Sequence, residues 1–251
     1  MEQDFEEDDD FANSLRLHLQ RLIFYAASAD PQLQREVAER LANEAVKSHR
    51  QQLIVDLGGL RLLLPLTKSS DVEVQRLAAH ALANLSVNVD NQVVMARDGA
   101  TEMLIDLLRL TRNEQVQRQS AKALANLAVN ASNKASIAQA GAIPLLVDLA
   151  SSRSIAVSVE AVAALANLAV NDANELAIAE AEGLPVILEA ARTDSAELQA
   201  QAARALRNLS CAAPNKEAIA ELGGEAVLRD LARSQVDRIA QQAERALRNL
   251  A

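Results

Sequence analysis

Apolar residues along this chain recur every three or four positions, the spacing of one helical face. In 156–168 they form such a face, and in 116–127 Val116, Ala123, Leu124 and Leu127 gather on one side. That leaves Arg118, Lys122 and Asn126 on the other. Polar punctuation around the apolar runs suggests a three-helix unit in 132–172. Ser132-Asn133 caps a short helix at 134–140, because Ser or Asn there accepts bonds from the free N–H groups of a first turn. Gly141 ends it as a left-handed C-cap. Pro144 sits in the first turn of a second helix at 143–149, where its missing N–H costs little. A polar turn at 151–154 then leads into the long helix at 156–168.

The unit repeats. All seven glycines sit in one context, Gly58-Gly59, Gly99, Gly141, Gly183 and Gly223-Gly224. The steps 58→99→141→183→224 are 41, 42, 42 and 41 residues. Asn-Leu keeps the same beat at Asn84, Asn126, Asn167, Asn208 and Asn249, with Asn43 a degenerate earlier member. A fixed period of this length means stacked helical repeats. Five full repeats follow, at 47–89, 90–131, 132–172, 173–213 and 214–251. Residues 12–46 supply only the last two helices of a repeat, an N-terminal cap whose first helix covers 15–28. Pro65 lies deeper in its helix than Pro144 or Pro185 and predicts a kink there.

Ala-Gly-Ala-Ile-Pro-Leu-Leu-Val-Asp-Leu at 140–149, with Ala-Leu-Ala-Asn-Leu-Ala-Val-Asn at 123–130 and 164–171, resembles the armadillo-repeat signature. The likeness covers roughly residues 30–251. Asp90-Asn91-Gln92 and Pro214-Asn215-Lys216 are most similar to the yeast vacuolar armadillo adaptor, plant armadillo-kinesin tails and plant U-box proteins. The resemblance implies an all-α, right-handed superhelical solenoid with three helices in each repeat of ~41 residues. It also implies that the third helices line a concave surface.

On each third helix, the repeated Asn and the residues four and eight before it form a slanted stripe, since four residues turn the helix about 400°. The resemblance makes the asparagines Asn84, Asn126, Asn167, Asn208 and Asn249 a ladder that pairs with a ligand's main chain, for which an amide carries both donor and acceptor. The competing reading is that each caps a helix end. With helices about 10 Å apart and a peptide rising about 3.3 Å per residue, one asparagine meets every third peptide residue. Four positions earlier stand His80, Lys122, Ala163, Arg204 and Arg245; eight earlier, Arg76, Arg118, Val159, Ala200 and Gln241. Importin-α places tryptophan at the first of these positions, and this chain has none. The groove is therefore expected to be basic at both ends (Arg76, Arg118, Lys122; Arg204, Arg245) with an apolar centre at Val159 and Ala163. In that it is closer to β-catenin, which takes acidic partners.

Composition narrows the picture. The chain is 50% hydrophobic and 2% aromatic, and its four aromatics all precede residue 26, so aromatic slots are excluded from the repeats. Seven acids (Glu2, Asp4, Glu6, Glu7, Asp8, Asp9, Asp10) fill residues 1–11; without them the net charge of −9 becomes −2. Their repulsion predicts a disordered tail. With Phe5 and Phe11, the segment Glu2–Phe11 is also a candidate for intramolecular binding or self-association in a basic groove. One cysteine fits a reducing compartment, the acidic start Met1–Phe11 is unlike a secretory leader, so none is expected, and no apolar run suffices to cross or directly anchor in a membrane. The location expected is the cytoplasm, or the nucleus. Cys211 is expected half-buried at a helix end. The three histidines, His18, His49 and His80, show no metal-ligand spacing. No nucleotide, protease or hydrolase motif is present, and an acidic pI near 5.0 argues against nucleic acid. The sequence therefore predicts a non-enzymatic adaptor without metal or cofactor that clamps an extended, acidic peptide segment of a partner protein. Two other readings compete: a structural subunit packing laterally or end-to-end in a cytoskeletal or ciliary assembly, and the substrate-recognition part of a ubiquitin ligase with a separate catalytic chain.

Overall fold

The computed structural model describes residues 2–251, with side chains from Asp10 onward. Seventeen helices and no strand occur among these residues. Two precede the regular pattern, α1 (Glu2–Ala26) and α2 (Pro31–Ala45). The other fifteen form five triplets. These are α3 (Ser48–Asp56), α4 (Leu60–Leu66) and α5 (Val72–Leu85); then α6 (Val89–Arg97), α7 (Ala100–Leu110) and α8 (Glu114–Leu127). Next come α9 (Ala131–Gln139), α10 (Ala142–Ala150) and α11 (Ile155–Leu168), followed by α12 (Asp172–Glu180), α13 (Gly183–Ala191) and α14 (Ala196–Leu209). The last are α15 (Ala213–Glu221), α16 (Gly224–Leu231) and α17 (Asp237–Leu250).

The chain divides into two compact units, one ending at Leu127 and one starting at Ala128. In the first, α2, α5 and α8 pack side by side; in the second, α11, α14 and α17 do so. Alanine makes this close packing work. Ala78, Ala79, Ala81 and Ala83 of α5 are all buried, and Leu82 and Leu85 fill the space between helices. Each fully buried leucine is worth roughly 1.5–3 kcal/mol. Helix α2 thus takes the place of a third helix, and α1 packs on α2 and α4.

Phe11 belongs to this packed cap rather than to a tail. Its side chain is buried, and the Arg50 guanidinium lies 4.9 Å from the ring centroid. Arg50 is itself buried and ion-paired with Glu44. The backbone of 2–11 continues α1. The acidic side chains expected to form a tail lie outside the described residues, apart from the exposed Asp10.

Two local expectations shift. The N-cap of α9 is Asn130, which accepts from the Ser132 N–H at 3.0 Å. Asn88 and Asn171 cap α6 and α12 in the same way. Asn133, expected as a cap, is instead a buried residue inside the helix. The left-handed junction between first and second helices falls at Gly58, Gly99, Gly141, Glu182 and Gly223. Gly183 and Gly224 are the next position along, so the glycine count in the sequence mixed two sites. Glu182 holds φ 59°, where a side chain costs roughly 1–2 kcal/mol. Finally, Pro65 lies inside α4, one residue before its end.

Candidate functional site

In the first unit, α5 presents Arg76, His80 and Asn84, and the adjacent α8 presents Arg118, Lys122 and Asn126. All six are half-buried. Arg76 is tied to Glu73 at 2.6 Å, and that hydrogen bond holds the Glu73 carboxyl below its ordinary range. Asn84 Nδ2 lies 3.2 Å from His80 Nε2. The amide can only donate, so Nε2 accepts and the neutral ring carries its proton on Nδ1. Burial, then the charges of Arg76 and Lys122, push the His80 pKa down. Positive potential therefore converges here.

In the second unit the same stripe runs over α11, α14 and α17. Asn167 lies on α11, Arg204 and Asn208 on α14, and Arg245 and Asn249 on α17. The apolar centre expected at Val159 and Ala163 is reduced to Val159. Ala163 is buried, and Arg204 Nη2 covers it by donating to its carbonyl at 3.2 Å. Burial, then the neighbouring Arg207 charge, lower the Arg204 pKa.

Three of the asparagines, Asn126, Asn208 and Asn249, are bonded across repeats before any ligand arrives. Asn126 Nδ2 donates to Ala83 O at 3.2 Å and Ser86 Oγ at 3.1 Å. Asn249 Nδ2 donates to Arg207 O at 3.0 Å and Ser210 Oγ at 3.1 Å. Asn208 Nδ2 donates to Ala166 O at 2.8 Å. Each thus donates to a carbonyl near the C-terminus of the preceding third helix, where α-helices leave acceptors without an intrahelical N–H; Ala83 O and Arg207 O also accept from the Ser86 and Ser210 hydroxyls. The helix-end reading of these residues is realised, but between repeats. What Asn126 and Asn249 still offer is Oδ1. Asn208 differs, because its Oδ1 already accepts from Arg207 Nε and Nη2 at 3.0 and 2.6 Å.

A second asparagine row, not expected as such, lies on the first helices. Asn91 Nδ2 donates to Gln51 O (3.1 Å) and Leu85 O (3.0 Å). Asn174 Nδ2 donates to Lys134 O (3.1 Å) and Leu168 O (3.2 Å), and Asn215 Nδ2 to Glu175 O (3.1 Å). Asn91, Asn174 and Asn215 are buried staples between adjacent repeats. The next residue reaches back six positions to a carbonyl beyond the long helix. Gln51 Nε2 donates to Ala45 O (3.1 Å), Gln92 Nε2 to Ser86 O (3.2 Å), and Lys134 Nζ to Ala128 O. Burial lowers the Lys134 pKa. In the fourth repeat this position is Glu175, which has no donor when ionised, and burial raises its pKa.

The armadillo/beta-catenin-like repeat family matches four segments, 47–87, 88–129, 130–170 and 171–211. The chain belongs to this family. Among solved structures, an engineered protein from a structural genomics consortium is 35% identical, with a TM-score of 0.85 over 92% of this chain and 95% of that one. A designed armadillo repeat protein is 27% identical (TM-score 0.85; 92% and 99% covered). Another, crystallised in complex with the peptide (KR)4, is 26% identical (TM-score 0.83; 92% and 98%). No curated protein sequence matches the chain. The all-α class and the armadillo repeats expected from the sequence are thus established. Among the described residues no helix is long and apolar enough to cross a membrane, and no group of three or more His, Cys, Asp or Glu is placed to hold a metal.

Two cations beside the stripe escaped the sequence reading, Arg207 and Arg248, which line a cavity with Asn208 and Asn249. The signal was present: Arg-Ala-Leu-Arg-Asn-Leu occurs at 204–209 and again at 245–250, whereas Ala83, Ala125 and Ala166 precede the earlier asparagines. Cys211, expected half-buried, is exposed just beyond α14, and Asn249 Nδ2 lies 3.7 Å from its sulfur.

Proposed function

We propose that this armadillo protein is a non-enzymatic adaptor, acting in the cytoplasm or nucleus, that captures an extended acidic segment of a partner protein on the third-helix stripe of each unit. The observation that carries this reading is the pairing, on one stripe, of cations with half-free amides. Lys122 and Arg245 have no carboxylate partner among the described residues, and each stands four residues before an asparagine whose Oδ1 is open. A peptide carboxylate then meets a cation while its main-chain N–H meets Oδ1. A related designed protein holds (KR)4; the cations of this chain favour the opposite sign of ligand.

Fluorescence anisotropy with labelled (Asp-Glu)4 and (Lys-Arg)4 tests this. The acidic peptide is expected to bind, to weaken as salt rises, and to lose affinity with Lys122→Glu. Binding of the basic peptide alone would sink the reading.

A further inference from the structure

Among the described residues, Arg35, Arg50, Arg76, Arg97, Arg109, Arg192, Arg229, Arg233 and Arg238 are ion-paired. That is what a chain with 34 acidic and 25 basic residues should provide. Arg207, Arg245 and Arg248 lack such a partner, as do Arg61, Arg112 and Arg153, but the first three are gathered in one place. They line one open cavity of about 510 Å³ on α14 and α17, together with Asn208, Asn249 and Cys211. Among the described residues none of the three has a carboxylate partner. Arg245 makes no hydrogen bond at all, and Arg248 spends only Nε–H, on Glu244 O at 3.3 Å. Arg207 is held by neutral acceptors, Asn208 Oδ1 and Gln242 Oε1, the latter at 2.9 Å. Its fork is therefore fixed while its charge is uncompensated.

The geometry points to this cavity as a phosphoryl-binding site, taking a phosphoserine or phosphothreonine within the captured segment. The inference rests on the peptide-binding reading and names the chemistry of one of its subsites. Three guanidiniums around one recess bring more N–H donors than a carboxylate can accept, since its two oxygens offer about four lone-pair sites. A phosphoryl group supplies three acceptor oxygens and a charge of about −1.5 to −2, and guanidinium forks match its oxygens in pairs. Asn249 stands at the same wall with its donors spent on Arg207 O and Ser210 Oγ, so its Oδ1 is left for the N–H of the ligand's main chain. The Asn208–Arg207 bonds hold this guanidinium at the cavity wall without neutralising it, and leave it one N–H on each Nη. The same hexapeptide in both repeats supplies the cationic lining from equivalent positions, Arg207 and Arg248.

Three octapeptides of Asp and Glu, carrying phosphoserine, glutamate or serine at one central position, are titrated by anisotropy into the full chain and into Arg245→Ala/Arg248→Ala. Both side chains are exposed, so the variant keeps its fold, which circular dichroism verifies. The phosphopeptide is expected to bind about tenfold more tightly than the glutamate peptide, an advantage that vanishes in the variant. Equal affinities for the phosphoserine and glutamate peptides overturn the phosphoryl assignment and leave acidic-peptide capture standing. An advantage that persists in the variant also overturns it. If none of the peptides binds, the capture reading fails by itself, and free O-phosphoserine decides the cavity. Shifts of the Arg245 and Arg248 side-chain NMR signals support it, and their absence overturns it.

Discussion

Asn126 donates its side-chain amide to the carbonyl of Ala83, one repeat earlier. The residue that a ligand would meet is therefore also a rivet between α5 and α8. Asn126→Ala is expected to remove the amide donor to Ala83 O and Ser86 Oγ, leaving Ala83 O only the bond from the Ser86 hydroxyl, at a cost of about 1–2 kcal/mol. For a chain of this size that lowers Tm by roughly 2–8 °C. A calorimetric scan of the free protein showing no change would mean that the side chain serves the ligand alone.

Glu182 stands in the left-handed junction that Gly58, Gly99, Gly141 and Gly223 fill elsewhere. Glu182→Gly removes the side-chain strain while adding freedom to the unfolded chain. The net expectation is stabilisation by about 0.5–1 kcal/mol, read as a higher midpoint in urea with unchanged slope. A lower midpoint would show that the Glu182 side chain repays its strain.

At the position where Gln51, Gln92 and Lys134 donate to carbonyls, Glu175 brings an acid whose pKa is raised by burial, partly offset by a hydrogen bond from the Ala212 N–H. With the folded pKa above the unfolded one, the protonated form is favoured by folding. That contribution is complete below the ordinary carboxylate range and fades as pH rises through the folded value. Glu175→Gln supplies a permanent donor. The variant should be more stable by about 1 kcal/mol near pH 7, with the gap closing toward pH 4. A gap that stays constant across that range would contradict the titration of Glu175.

His80 carries the opposite shift. Its depressed pKa, from burial and then from Arg76 and Lys122, means that protonation opposes folding. Stability present above the ordinary histidine range falls as pH drops through the folded value. An acidic peptide on the stripe favours the imidazolium and raises that pKa. Capture is therefore expected to tighten between pH 7.5 and 5.5, by up to about tenfold per unit of pKa rise. His80→Gln should flatten the profile, and an equally steep profile in that variant would remove His80 from the site.

Much of the architecture was readable because it repeats. The 41-residue beat of Asn-Leu and glycine announced armadillo repeats, and the apolar runs placed 143–149 and 156–168 within a residue of α10 and α11. What escaped was decided by neighbours one repeat away. Asn130 and Asn133 are both good caps in isolation, and only burial of Asn133 separates a cap from an interior residue. Ala163 sits on the stripe by angle, yet Arg204 from the next repeat covers it. Gly183 looked like the partner of Gly141 because nothing in composition announces a glutamate at positive φ. Arg207 and Arg248 sit next to the asparagines, off the four-residue stripe, so a reading by helical angle passed over them.

If the stripe captures peptides as proposed, the spent donors of its asparagines impose a grammar on the ligand. Asn126 and Asn249 have both amide hydrogens committed to the preceding repeat, so each accepts but cannot donate. Proline has no N–H to give. A proline scan should therefore reveal intolerance at the residue facing Asn126 in a peptide bound to the first unit, and at the residue facing Asn249 in one bound to the second. The residue facing Asn208, whose oxygen is already taken by Arg207, should accept proline freely.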